Sequence, residues 1–297
     1  MRNRIFFSIL ILISTTALSA QSIQVAFLQG KAFSVTSNTV TTPIAIGASI
    51  SSDATIKLEK NSLLELQTSN GQKLTLRNAG AYSVQNLIRK AQTLPPNQVG
   101  KALSAGVAAI VGGKTVNQSA TAGVRGDAQD GATVEFVDSN AQAYKSSGNS
   151  YLKAGKFPEA TKQFKLALSA ADTKEKPEIH YLLAQAYLLL GDIRNADAEA
   201  NAVQISGTKP WSDDLLLLKA RIDVETFAYE DALSLLSTRA AALKKDTNRA
   251  SLFHFISGVA YFGVDQNAQA KENLDRVVAI EPGSELGKTA SQILKTL

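Results

Sequence analysis

The sequence predicts a multidomain protein of the β plus all-α class, with a small antiparallel β domain followed by an α-helical repeat solenoid. Three observations predict it. From Ile23 to Val84, apolar and polar residues alternate with period two in short runs separated by turn signals. From Ala141 onward, small and aromatic residues recur at fixed offsets in four successive copies. The 297 residues, 44% hydrophobic and 19% charged, suffice for about two packed domains.

The N-terminal stretch, residues 1–20, has Arg2 and Arg4, an apolar run from Ile5 to Ile13 and a small-residue end. That is the pattern of a secretory signal peptide, cleaved after Ser19 or Ala20. The apolar run is shorter than the ~20 residues that span a bilayer. The expected product is exported and periplasmic or at the cell surface, not integral to the membrane once the signal is gone.

Residues 21–139 form the expected β domain. Its strand candidates are IQVAFLQG, KAFSVTS, TIKLEK, SLLELQTS, QKLTLRN and AYSVQ, divided by turns such as Gln29-Gly30, Lys60-Asn61 and Asn70-Gly71. Asn-Gly between two alternating runs is a strong hairpin signal. The period then changes between 85 and 113. QNLIRKAQ reads as one short helix, Thr93-Leu94-Pro95-Pro96 breaks it, and NQVGKALSAGVAAIVGG reads as a second helical or flexible insertion weakened by its glycines. Ala132–Val137 is the expected last strand, with Val134 and Phe136 on one face.

The order of features resembles the FecR domain. The residues that carry the resemblance are QVAFLQGKAFSV, then PIAIGASISSDATIKLEKNSLLELQTSNGQKLTL, then ATAGVRGDAQDGATVEFV. Val124-Arg125-Gly126 matches a family signature, although Asp127 stands where the family has Thr. The resemblance implies an envelope β domain with a role in ligand or wall attachment. The iron-signalling role of FecR itself does not carry over, because the sequence shows neither a membrane helix after the signal nor a cytoplasmic tail.

Residues 140–297 hold the repeats. Counting Ala141 as position 1, Tyr144 falls at 4, Gly148 at 8, Tyr151 at 11, Ala160 at 20, Phe164 at 24 and Ala167 at 27. Further copies cover 177–212, 213–250 and 251–284, and a capping helix follows over 285–296. The second copy carries His180, Ala184, Tyr187, Gly191, Ala196 and Ala200 in register. The third is degenerate, with Asp223 at position 11. The fourth carries His254, Gly258, Tyr261, Ala270, Leu274, Val277 and Pro282. This pattern resembles the tetratricopeptide repeat, a helix–turn–helix unit of about 34 residues. Small residues at 8 and 20 let two helices approach, and the larger ones fill the space toward the next repeat.

Composition excludes several chemistries. There is no cysteine, so disulfides, thiolate catalysis and cysteine–zinc sites are absent. His180 and His254 both occupy position 4, where the repeat family places a packing residue, so both are expected to be structural. The formal net charge is +5, and the repeat half carries 19 Lys and Arg against 19 Asp and Glu, which leaves no basic stripe for nucleic acid. No catalytic set, metal site or cofactor motif is expected. AAIVGGKT lacks the first glycine of a phosphate loop, and Arg125-Gly126-Asp127 is absorbed by the FecR-like signature.

The repeat resemblance implies a concave groove lined by positions 2, 5, 6, 9, 12 and 13 of each first helix. Those offsets give Lys145, Asn149 and Lys153 in the first copy, and Tyr181, Leu182, Gln185 and Leu189 in the second. The third gives Leu218 and Arg221, and the fourth Phe255, Val259 and Phe262. Lys145 and Asn149 match places that grip a C-terminal carboxylate in chaperone-binding members of that family. Leu182, Asp214 and Leu218 stand at the other clamp places, so the clamp is incomplete. The groove is polar at its start and apolar further on, and it either meets a partner or is covered by another part of the chain. The expected function is a non-enzymatic scaffold or adaptor that holds an envelope protein or peptide. The alternative is a wall-binding module in which the β domain takes glycan or peptidoglycan and the repeats act as a spacer.

Overall fold

The structure is a computed structural model that describes residues 22–36, 41–112, 140–204, 209–246 and 249–297. The expected signal segment, the Val124-Arg125-Gly126 signature and the strand over Ala132–Val137 lie outside the described residues.

Among the described residues eight strands come first: β1 (Ser22–Gln29), β2 (Ala32–Val35), β3 (Thr41–Pro43), β4 (Ser49–Ser51), β5 (Thr55–Leu58), β6 (Leu63–Thr68), β7 (Lys73–Leu76) and β8 (Gly80–Ser83). They form two antiparallel four-stranded sheets, one ordered β4-β1-β6-β7 (sheet A) and the other β3-β2-β5-β8 (sheet B). The alternation works as the period-two pattern requires. Ile23, Val25, Leu64, Leu66, Leu74 and Leu76 of sheet A point inward against Ala32, Ile56 and Leu58 of sheet B. A register shift between Val25 and Phe27 of β1 turns Phe27 toward the outer face. Asn70-Gly71 does turn the β6–β7 hairpin, and Gly71 takes the left-handed conformation that the turn needs (φ 81°). Edge strands β3 and β4 carry no period-two signal, since three residues are too few to show one.

Helices follow. α1 (Val84–Thr93) starts at Ser83, whose hydroxyl accepts from the Asn86 amide, and buries Val84, Leu87, Ile88 and Ala91 against the sandwich. α2 spans Pro96–Gly112. Four helical hairpins then stack: α3 (Asn140–Lys153) with α4 (Phe157–Ala170), α5 (Lys176–Leu189) with α6 (Ile193–Asn201), α7 (Ser212–Glu225) with α8 (Tyr229–Ser237), and, after the short α9 (Ala240–Leu243), α10 (Ala250–Gly263) with α11 (Asn267–Ile280). α12 (Glu285–Leu294) packs on α11. Each hairpin begins one residue before the start read from the repeat pattern.

The hairpin turns obey one backbone rule. Gly155, Gly191, Phe227 and Asp265 occupy the same place between first and second helix, and all have positive φ of 71°, 76°, 62° and 60°. For a bulky residue such as Phe227 this conformation is costly. Its ring is held by contact with both the third-hairpin core and the β-domain core, and it lies edge-on to Tyr229 at 5.9 Å. Close helix approach explains the small residues. A Cβ at Gly148 would lie 2.4 Å from the Phe164 ring, and one at Gly258 would lie 2.7 Å from Leu274. The sequence pattern attaches residues 85–113 to the β domain. In the structure only α1 packs there, whereas α2 joins the core of the third and fourth hairpins.

Candidate binding groove

α2 packs against α12 and against the first helices α10, α7 and α3 of three hairpins. α2 runs antiparallel to α7: Gly100 sits beside Glu225, Ser104 bonds Arg221, and Val107 and Ile110 reach Leu217 and Leu218. The chain therefore lays its own helix against first helices on which the repeat pattern puts the expected groove. Val99, Leu103 and Val107, spaced by four, bury against Leu216, Leu217, Ala220, Leu252, Phe255 and Leu286. Gly106 allows the closest approach, since a Cβ there would meet Leu286 at 2.8 Å and Leu252 at 3.2 Å.

The predicted groove residues divide accordingly. Tyr181, Leu182, Gln185, Leu218, Arg221, Phe255 and Val259 are buried, so the expected open face is not exposed at these positions. Leu189 and Phe262 are half-buried. Lys145 and Asn149 are half-buried and Lys153 exposed, all in the first hairpin. Lys145 donates to Glu178 at 3.2 Å, which ties the first hairpin to the second rather than leaving a cation for a ligand. Tyr181 stacks on Trp211 at 5.7 Å, and burial pushes its phenol above the usual range. Asp214 accepts from Arg249 at 2.6 and 3.0 Å, and Asp246 accepts from the same guanidinium at 2.7 Å. Those hydrogen bonds hold the guanidinium above its ordinary value.

The junction between sheet A and the helices is polar. Arg77, just after β7, reaches Asp197 of α6 and Asp223 of α7 with separate guanidinium nitrogens. Asn78 donates to Asp231 of α8. Arg194 lies over the Phe27 ring at 4.1 Å and pairs with Glu65 at 3.5 Å. Lys90 of α1 donates to the Gly263 carbonyl and sits over Tyr229. Burial raises Asp223 to about 6 against the opposing pull of Arg77. Burial likewise raises Tyr82 to about 12 and lowers Lys219.

Both histidines bond within their own hairpins. His180 Nδ1 lies 2.6 Å from Glu199, and His254 Nδ1 lies 2.9 Å from Asn273, with burial lowering the His254 pKa. Among the described residues no group of three or more His, Cys, Asp or Glu could hold a metal ion, and no helix is long and apolar enough to cross a membrane. Sequence reasoning missed Arg77 and Arg194, which carry no local signal. The apolar face of α2 was legible in the spacing of Val99, Leu103 and Val107, but its seat was not. No family model, curated protein or solved structure matches the chain, so the functional reading rests on the arrangement of its own residues.

Proposed function

We propose that this protein is an exported, non-enzymatic scaffold of the cell envelope, built from a FecR-like β domain and four tetratricopeptide-like repeats, whose groove is held by its own helix α2 until a partner segment takes that place. The observation that carries the reading is the seating of α2 along α7, α10 and α12. Support for the repeat family comes from the small residues at the helix crossings and the positive φ at each hairpin turn.

α2 suits a displaceable occupant. Gly100 and Gly106 each cost about 1 kcal/mol relative to Ala in a helix interior, so the helix depends on the groove for its order. The partner is an envelope protein or peptide that offers an apolar helix with small residues facing the groove. The experiment uses a labelled synthetic peptide of residues 96–112 as the probe. The full chain carrying Leu103→Asp, checked for cooperative unfolding, is expected to bind the peptide, and the wild-type chain to bind it far more weakly. Charged residues at Leu189 and Phe262 in that background are expected to remove binding. A folded Leu103→Asp chain that takes up no more peptide than wild type sinks the proposal. Proximity labelling in the envelope with the same two chains then identifies the partner.

A further inference from the structure

A cavity of about 770 Å³ opens where four elements meet, away from the apolar seat of α2. The outer face of sheet A contributes Glu65, Lys73 and Thr75. The first turns of α2 contribute Asn97, Lys101 and Ser104. The α5–α6 turn closes one side with Leu188 to Arg194, and the last turns of α7 supply Arg221 and Glu225.

Arg221 is the unusual member, being only 1% exposed. Its Nε donates to Glu225 at 2.5 Å, and its Nη2 donates to Ser104 at 2.9 Å and to the Leu188 carbonyl at 3.4 Å. Nη1 finds no acceptor among the described residues. A buried charged donor without an acceptor is costly and marks a place where an acceptor belongs.

The other charges sort cleanly. Each carboxylate bordering the cavity is already engaged: Glu65 with Arg194, Glu225 with Arg221, and Asp192 as the cap of α6, accepting from the Asn195 amide at 3.2 Å and its side chain at 2.6 Å. Lys101 pairs with Glu285. Lys73 is exposed and has no ion pair among the described residues. Two groups keep unused donors toward the cavity: Lys73 on the β-domain wall, and on the helical wall Arg221, which is paired with Glu225 through Nε but has Nη1 without an acceptor among the described residues. Leu189, half-buried, and Leu190, exposed, offer apolar surface on the same cavity.

We propose that this cavity binds a small dicarboxylate, one carboxylate on Arg221 and the other on Lys73, with its methylene chain along Leu189 and Leu190. A single oxyanion satisfies one wall, whereas two carboxylates separated by a short chain satisfy both. A planar carboxylate also suits a guanidinium edge, and charge assistance strengthens both contacts. The site joins the two domains, so occupancy holds them together.

α2 walls part of the cavity, so the test uses the full wild-type chain with α2 seated. Calorimetric titration and unfolding midpoint at constant ionic strength are measured, and their failure is read separately from that of the peptide-displacement experiment. Succinate, glutarate and adipate are the probes, with acetate and inorganic phosphate beside them. At least one dicarboxylate is expected to saturate one site per chain and to raise the midpoint, with acetate and phosphate weaker by about tenfold or more. Lys73→Ala, on an exposed residue that the fold does not need, is expected to weaken dicarboxylate binding by about tenfold, while Lys57→Ala on sheet B leaves it unchanged. Arg221→Met is expected to lose the site, and if that chain does not fold, Lys73→Ala decides. The proposal is overturned if no dicarboxylate saturates, if acetate or phosphate binds as tightly, or if Lys73→Ala binds like wild type.

Discussion

The Arg77 junction makes a signed prediction about pH. Asp223 is 4% exposed, faces Arg77, and shares that guanidinium with Asp197, while Asp231 and Lys219 stand nearby. Its folded pKa is raised from 3.8 to about 6, because burial outweighs the attraction of Arg77. A raised carboxylate binds its proton more tightly in the folded state. Its stabilising contribution is therefore present below about pH 4 and is lost as pH rises through about 6. The shift is about two units at 1.36 kcal/mol each, and the part that falls between about pH 4.5 and about pH 7.5 is roughly 2 kcal/mol. Urea unfolding of wild type and Asp223→Asn at those two pH values isolates it, because the other titrating groups cancel in the difference. Wild type is expected to lose about 2 kcal/mol more than the variant on going to the higher pH. Equal losses in both chains refute the reasoning, and a larger loss in Asp223→Asn means that Arg77, not burial, sets the carboxyl.

Other outcomes follow from packing. Gly148→Val places a branched side chain where a Cβ alone would sit 2.4 Å from Phe164, and is expected to cost about 3 kcal/mol or more in chemical denaturation. Phe227→Gly and Asp265→Gly remove the same positive-φ strain but differ in what the side chain touches. The first is expected to destabilise by about 1–2 kcal/mol through lost packing on two cores, and the second to be neutral or stabilising by up to about 1 kcal/mol. Trp211→Ala, which removes the stack on Tyr181, is expected to lower the unfolding midpoint of the helical part, and double-mutant analysis with Tyr181 should recover a coupling of about 1 kcal/mol. Leu103→Asp is expected to make the bond after Thr93 an early site of limited proteolysis, because α2 then has nothing to hold it.

The sandwich strands were legible because each long enough strand buries alternate residues, as Leu64, Leu66, Leu74 and Leu76 do. β3 and β4 were not, since their pairing depends on β2 and β1 rather than on their own pattern. The hairpin boundaries were legible from Gly155 and Gly191, and remained so at Phe227 and Asp265 only because the period places them in the same turn. The residues read as groove-lining sit on the first helices of the hairpins, yet sequence spacing could not distinguish an open apolar face from a covered one.

By itself the sequence determined the local matters: where the period changes from two to that of a helix, where each hairpin turns, and which face of each helix is apolar. These follow from backbone geometry within a few residues. Only the tertiary structure decided what those faces meet. It packed α2 against α7, α10 and α12, set Arg77 between two carboxylates of different helices, and buried Arg221 with one nitrogen lacking an acceptor among the described residues. The seat of α2 and the Arg77 pairs join residues more than a hundred positions apart, where no periodicity reaches and apolar burial or opposite charge selects the partner.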